Sequence, residues 1–205
     1  MILGLTGGYC SGKSTVAARL REKGWTVIDV DALGHRALEQ SIDSVERLLG
    51  PQVRAERGDP DRRAIGARVF ADPALLADYE AIVHPVMNRL VAEALASSTG
   101  SVCLDAAILY RLPAAASCDY IIEVRAPLCD RIRRGKARDG LGTRAILKRI
   151  LAQRPLKAAG RRWADKTVRL LNHGSPERLS RRIDAAMARI DAIRALNRPI
   201  ASSDT

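Results

Sequence analysis

The sequence predicts a three-layer α/β fold with a mainly parallel five-stranded sheet, and three observations carry that expectation. Short runs of strand composition alternate with helical stretches along most of the chain, the pattern of strands joined by crossover helices. The string GGYCSGKST, residues 7–15, fits G-x-x-x-x-G-K-[ST], with Gly7, Gly12, Lys13 and Ser14 on the fixed positions. It stands between an apolar run and a helical pattern, the strand–loop–helix context that such a phosphate loop requires. Third, a long helical stretch separates the second and third strands as an insertion. At 205 residues the chain can build one full hydrophobic core with a smaller lobe appended.

The elements follow in order. Ile2-Leu3-Gly4-Leu5-Thr6 is the first strand, and the helix after the loop buries Val16, Ala17 and Leu20 before stopping at Gly24. WTVIDVD is the second strand. From Ala32 to about Gly100 the pattern is helical; Asp72 reads as an N-cap with Pro73 at the first helical position. Leu75, Leu76, Tyr79, Ile82, Val83, Val86, Met87, Leu90, Val91 and Ala94 recur at helical spacing, and Pro85 predicts a kink or break near His84. SVCLDAAIL and CDYIIEV are the third and fourth strands, residues 126–160 are basic and helical, and DKTVRLL is the fifth strand. Ser175-Pro176 caps a final helix with Leu179, Ile183, Ala186, Met187, Ile190 and Ile193 on one face. There is no internal repeat and no low-complexity tract.

Composition narrows the function. Hydrophobic residues at 47% and charged residues at 28% suit a soluble globular chain. No run approaches the roughly 18 apolar residues of a membrane span, and the first apolar residues lead into the glycine loop rather than a signal-type core. The expected location is cytoplasmic. Cys10, Cys103, Cys118 and Cys129 lack C-x-x-C spacing and suggest neither a disulfide framework nor a zinc site; Cys10, inside the loop, is the one expected to be oxidation-sensitive. A net charge of +11 invites a nucleic-acid reading, but with 3% aromatic residues stacking platforms are scarce. Arg131, Arg133, Arg134, Lys136 and Arg138 crowd one segment, with Arg144, Lys148, Arg149 and Arg154 following, and a polyphosphate needs such a cluster equally.

A glycine-rich loop can aim successive N–H groups at phosphate oxygens while the next helix offers its positive end. Lys13 would then bridge the β- and γ-phosphates and Ser14 would ligate Mg2+. Asp29 and Asp31, two apart at the end of the second strand, could face one way at the carboxyl edge where ligands bind. Asp31 is the better candidate base; the alternative is that either acid caps the helix beginning near Ala32. Asp105, ending the third strand, would orient magnesium-bound water or stand as a surface acid. The D-x-x-G strings DALG and DGLG lack an accompanying N-K-x-D sequence and are read as coincidence.

Several separated strings together resemble the dephospho-coenzyme A kinase family. They are GLTGGYCSGKSTVA, VIDVDALGHRAL, DRRAIGARVFADPALLADYEAIVHPVM, ARDGL, KRILAQ and ADKTVRLLNHGSPERL, in the family's order from about residue 2 to 185. The resemblance implies a P-loop kinase fold with a helical acceptor-binding insertion and a helical lid. The implied reaction is ATP-dependent phosphorylation of the ribose 3′-hydroxyl of dephospho-coenzyme A, with Mg2+. It implies Asp31 as catalytic base, and Gly8, Tyr9, Cys10, Ser11, Gly12, Lys13, Ser14 and Thr15 around the ATP phosphates and magnesium. Arg134, Arg138 and Arg149 match lid arginines, with Arg138 counted beside Lys13 and Asp31 in catalysis. Asn172 and Gly174 match a loop near the adenine, or form a plain turn. His84 and Pro85, with Asp31 and Asp105, match the acceptor side, where His84 could equally be a packed histidine at a helix break.

The implied organisation is a nucleotide-binding core of residues 1–31, 101–127 and 161–205, an acceptor region 32–100 and a lid 128–160. The expected partners are ATP and dephospho-coenzyme A, with no nucleic acid and no membrane, for a monomer or weak homo-oligomer. Two rival readings are another small-molecule P-loop kinase and a nucleic-acid-binding P-loop ATPase. Three features depart from the family pattern. Cys10 stands where glycine is usual, Ala107 and Arg111 replace a proline and an acid in DAAILYR, and the chain beyond residue 185 carries no motif.

Overall fold

The computed structural model describes residues 1–55, 57–153 and 159–196. They form two compact units: one of residues 1–27 and 100–205, the other of residues 28–99.

The first unit carries the sheet but for the last two residues of its second strand. Its strands are β1 (Ile2–Gly7), β2 (Thr26–Asp29), β3 (Val102–Asp105), β4 (Tyr120–Arg125) and β5 (Thr167–Leu171), in the order β2-β3-β1-β4-β5. β1 runs parallel to β3, with Leu5 opposite Asp105, and parallel to β4, with Gly7 opposite Val124. β4 runs parallel to β5, with Arg125 opposite Leu171. These registers bring the carboxyl ends of β1, β3, β4 and β5 to one edge, the edge where open parallel sheets bind ligands.

Apolar burial explains the layers. Leu3 and Leu5 of β1, Ile122 and Val124 of β4, and Val168 and Leu170 of β5 join one core with Val16, Ala17 and Leu20 of α1 (Lys13–Glu22). Leu179, Ile183, Ala186 and Ile190, the buried stripe of the last helix (Pro176–Leu196), close the same core. The 3.6-residue spacing of that stripe is the reason this segment is a helix. Before β5, Lys166 Nζ donates to the carbonyls of Ala115 (3.0 Å) and Cys118 (2.5 Å) and lies 4.5 Å from the Trp163 ring centre, tying β5 to the turn before β4. The third strand stops at Asp105, short of the full SVCLDAAIL run. Ala106 N–H still donates to Leu5 C=O at 3.0 Å, and the chain then turns into a 3-10 helix at Leu109–Arg111.

Between β4 and β5 in the chain come α5 (Leu128–Asp139) and α6 (Thr143–Ala152), as the basic helical reading of this stretch expects. The part of that expectation covering residues 154–158, Arg154 among them, lies outside the described residues.

The second unit is helical: α2 (Val30–Leu49), α3 (Arg62–Val69) and α4 (Pro73–Ala96). Each helix has an aspartate N-cap. Asp29 accepts from Ala32 N–H, Asp61 from the N–H groups of Arg63 and Ala64, and Asp72 from those of Ala74 and Leu75. α2 buries Leu33, Ala37, Val45 and Leu49, and α4, which packs along it, buries Val83, Met87, Leu90 and Val91. Of the kink or break expected near His84, the break does not occur, since α4 is continuous through Pro85. Pro85 sits on an exposed face, so the helix loses one backbone hydrogen bond while the packed stripe on the other face runs on. Among the described residues no helix is long and apolar enough to cross a membrane.

Candidate active site

The segment from Gly7 to Lys13 turns the chain from β1 into α1. A side chain does not fit at Gly7, where a Cβ would lie 2.6 Å from Ser11 Oγ and 2.9 Å from the Val124 carbonyl oxygen. Ser11 N–H donates to Gly8 C=O at 2.9 Å, and the loop passes through two left-handed residues, Cys10 at φ 53 and Gly12 at φ 95. At Gly12 a Cβ would collide with the Asn172 amide, so glycine is required for space as well as for backbone angle. Cys10 takes the glycine-like conformation at a cost of about 1–2 kcal/mol for an L-residue. That is the physical content of its departure from the family pattern. Gly12 is the N-cap of α1 and supplies no side-chain cap, so the positive end of the helix dipole is not offset by a capping side chain and favours an anion there.

Four side chains from the later half of the chain fix this backbone. Gln153 Oε1 accepts from Tyr9 N–H at 2.6 Å, and Arg131 Nε donates to Tyr9 C=O at 2.7 Å. Arg134 Nη1 donates to the carbonyls of Cys10 (3.4 Å) and Ser11 (3.3 Å). Asn172 Nδ2 donates to Ser11 C=O at 2.8 Å and its Oδ1 accepts from Arg134 Nη2 at 3.2 Å. Arg131 is 8% exposed, and burial pushes its guanidinium pKa down. Ser11 Oγ is buried against Gly7 with no hydrogen-bond partner among the described residues.

Outside the loop lies a cavity of about 370 Å³ lined by Gly7 to Thr15, Ala107, Arg134, Arg138 and Gln153. It thus gathers three cations, Lys13, Arg134 and Arg138, with the hydroxyls of Ser14 and Thr15. Lys13 Nζ pairs with Asp105 Oδ1 at 2.6 Å, which places the β3 carboxylate beside the loop lysine and answers the surface-acid alternative. Asp105 is buried. Hydroxyl and carboxylate oxygens are hard donors suited to magnesium, which takes one or two protein ligands and completes its shell with phosphate and water. No group of three or more His, Cys, Asp or Glu side chains placed to hold a metal ion occurs among the described residues.

The remaining site candidates divide. Arg149 donates to Asp139 at 3.2 Å and lies over the Tyr9 ring, and Asn172 braces the loop. Gly174, at φ 95, stands in an exposed turn beside Arg178. Asp31, His84 and Pro85 belong to the helical unit. β2 ends at Asp29 and Asp31 lies in the first turn of α2, so the two acids do not share a strand face as the sequence suggested. The cap is Asp29, which leaves Asp31 exposed. His84 is half-buried within unbroken helix. Sequence reasoning named Arg131 only as one of a basic cluster, and did not name Asp139 or Gln153, which lie in the strings ARDGL and KRILAQ. Only the fold brings those positions back to residue 9.

A glycine-rich loop closing a parallel strand, an uncapped helix end and converging cations define a P-loop phosphotransferase. A model of the family described as dephospho-CoA kinase matches residues 1–176. The chain belongs to that family. It is 39% identical over 191 residues to the dephospho-CoA kinase of Thermus thermophilus, covering 93% of this chain and 92% of the relative. A crystal structure from Thermus thermophilus superposes with a TM-score of 0.79 at 39% identity, covering 92% of this chain and 97% of the other. The dephospho-CoA kinase structure from Campylobacter jejuni shares the fold with a TM-score of 0.66 at 18% identity, over 94% of this chain and 98% of the other.

Proposed function

We propose that the chain transfers the γ-phosphoryl group of ATP to the ribose 3′-hydroxyl of dephospho-coenzyme A, giving coenzyme A and ADP. The observation that carries this reading is the cationic cavity over the phosphate loop, in a chain whose family membership spans residues 1–176. The loop from Gly8 to Thr15 cradles the β- and γ-phosphates with the positive end of α1 behind it, and Lys13 neutralises the oxygens between them. Arg134 holds the loop in shape, while Arg138 and Arg149 offer charge to the moving phosphoryl group. Ser14, with Thr15 and Asp105 nearby, would hold magnesium, which when bound neutralises phosphate charge. Asp31 accepts the proton of the attacking hydroxyl, with His84 and Pro85 on the acceptor side. Residues 128–160 act as a lid that excludes water, so that ATP is not merely hydrolysed. The reading includes cytoplasmic action by a monomer or weak homo-oligomer.

The test is mass-spectrometric detection of coenzyme A after purified protein is incubated with dephospho-coenzyme A, ATP and magnesium. Asp31→Asn should lower turnover by about 10²- to 10⁴-fold while leaving ATP affinity unchanged. Equal losses in both would remove Asp31 from the chemistry.

A further inference from the structure

Tyr9 has more contacts than a cradle residue needs. Its backbone is held at both ends, by Gln153 and Arg131, so the side chain leaves the loop from an immobilised base. Its hydroxyl donates to Asp139 Oδ2. Its ring lies beneath two guanidiniums, with Arg138 Cζ at 5.1 Å and Arg149 Cζ at 5.5 Å from the centroid. The ring edge fits against Gly135 of α5, where a Cβ would come within 3.1 Å of Tyr9 Cε1. Asp139 closes the group: Oδ1 accepts from Arg138 Nε at 2.7 Å and Oδ2 from Arg149 Nη1 at 3.2 Å.

One carboxylate facing two guanidiniums leaves the cluster net positive toward the cavity, which Arg138 lines. Arg138 and Arg149 are each more than half exposed. Long exposed side chains lose rotamer freedom when they engage a phosphate, and a ring beneath them with a carboxylate between them removes part of that loss beforehand.

We propose that Tyr9 is a positioning residue for phosphoryl transfer. From the phosphate loop it fixes Arg138 and Arg149 through the ring face and Asp139, so that both cations are presented as a set where the nucleotide's phosphates arrive. The inference rests on the kinase reading above. It adds a residue that acts through the arginines and not on the substrate.

The experiment is a double-mutant cycle on the full-length enzyme, with kcat, KM for ATP and acceptor-independent ATP hydrolysis read for each variant. Tyr9→Leu should lower kcat about tenfold, the scale of two cation–π contacts, and raise the ratio of hydrolysis to transfer as the arginines loosen. Tyr9→Phe, which keeps the ring, should recover most of that loss. In an Arg138→Ala, Arg149→Ala background the Tyr9→Leu change should cost less than twofold, because the groups it positions are gone. Full additivity of the losses would overturn the proposal, as would a Tyr9→Leu kcat within twofold of the unmodified enzyme. The cycle with Tyr9→Phe and Asp139→Asn decides the matter should the leucine variant not fold. An unmodified enzyme that makes no coenzyme A would count against the kinase reading itself, whereas an active enzyme with additive losses counts against Tyr9 alone.

Discussion

The phosphate-loop region and the helical unit are held together by different kinds of contact. Around the loop, polar side chains reach backbone groups far away in sequence, Gln153 and Arg131 to Tyr9 and Asn172 to Ser11, while Lys13 pairs with the distant Asp105 carboxylate. In the helical unit the polar contacts are mostly local. Asp29, Asp61 and Asp72 cap the helices they precede, and Arg54 pairs with Asp43 and Glu46. Between α2 and α4 the long-range cohesion is mainly apolar, through residues such as Val45 and Leu90, with an exposed hydrogen bond from Arg89 to Gln40 beside it. Directional bonds hold a geometry to tenths of an ångström, as charge neutralisation on a phosphoryl group demands. Apolar packing sets stability with looser geometric demands. Damage at the loop should therefore appear first in rate, and damage between α2 and α4 first in stability.

The sharpest test of that division is Lys13→Arg, which keeps a cation for the buried Asp105 but moves it, and is expected to lower kcat by about 10²-fold or more while the melting temperature stays within a few degrees. A large drop in melting temperature would erase the contrast. Next in size, Leu90→Ala should destabilise the protein by about 2–5 kcal/mol in chemical denaturation, because the side chain is 5% exposed and its loss leaves a cavity. The activity of its folded fraction should be near normal. Asn172→Ala falls between the two kinds. It strips the Ser11 carbonyl of the shorter of its two donors and Arg134 of an acceptor, so a loss of about 1–3 kcal/mol should accompany a raised KM for ATP. A change in stability alone would make Asn172 a packing residue.

The smallest effect is electrostatic. Hydrogen bonds from Arg138 and then from Tyr9 hold the Asp139 carboxyl down from its ordinary 3.8 to about 2. A depressed carboxylate contributes above its ordinary pKa, and that contribution is lost only as pH falls through the folded value. Carboxyl-carbon NMR should thus find the Tyr9–Asp139 contact unchanged from pH 7 to 4 and titrating near pH 2. In Arg138→Ala the midpoint should move up toward 3.8.

The same division decides what was legible in the sequence. The five strands, the loop and the caps at Asp72 and Ser175 are written in local patterns, and the structure has them within a few residues. Which of Asp29 and Asp31 caps α2 stayed open because either spacing permits it, and only the backbone shows that the strand stops at residue 29 and that Asp29 is the cap. Of the kink or break expected at Pro85, the break is absent because continuous apolar packing carries the helix through. The contacts of Arg131, Gln153 and Asp139 were hidden because their partner is residue 9, more than a hundred positions earlier, and nothing in a local pattern encodes that meeting.

The sheet order has a consequence for synthesis. β1 leaves the ribosome before the other four strands, yet its neighbours are β3 and β4, and its earliest parallel partner is Val102, opposite Ile2. It must wait for about a hundred further residues before it can pair, and for Asn172 before the turn that follows it is fully braced. Retention on immobilised ATP should therefore mark molecules folded through β5, since the strand translated ahead of the others is among the last to be completed.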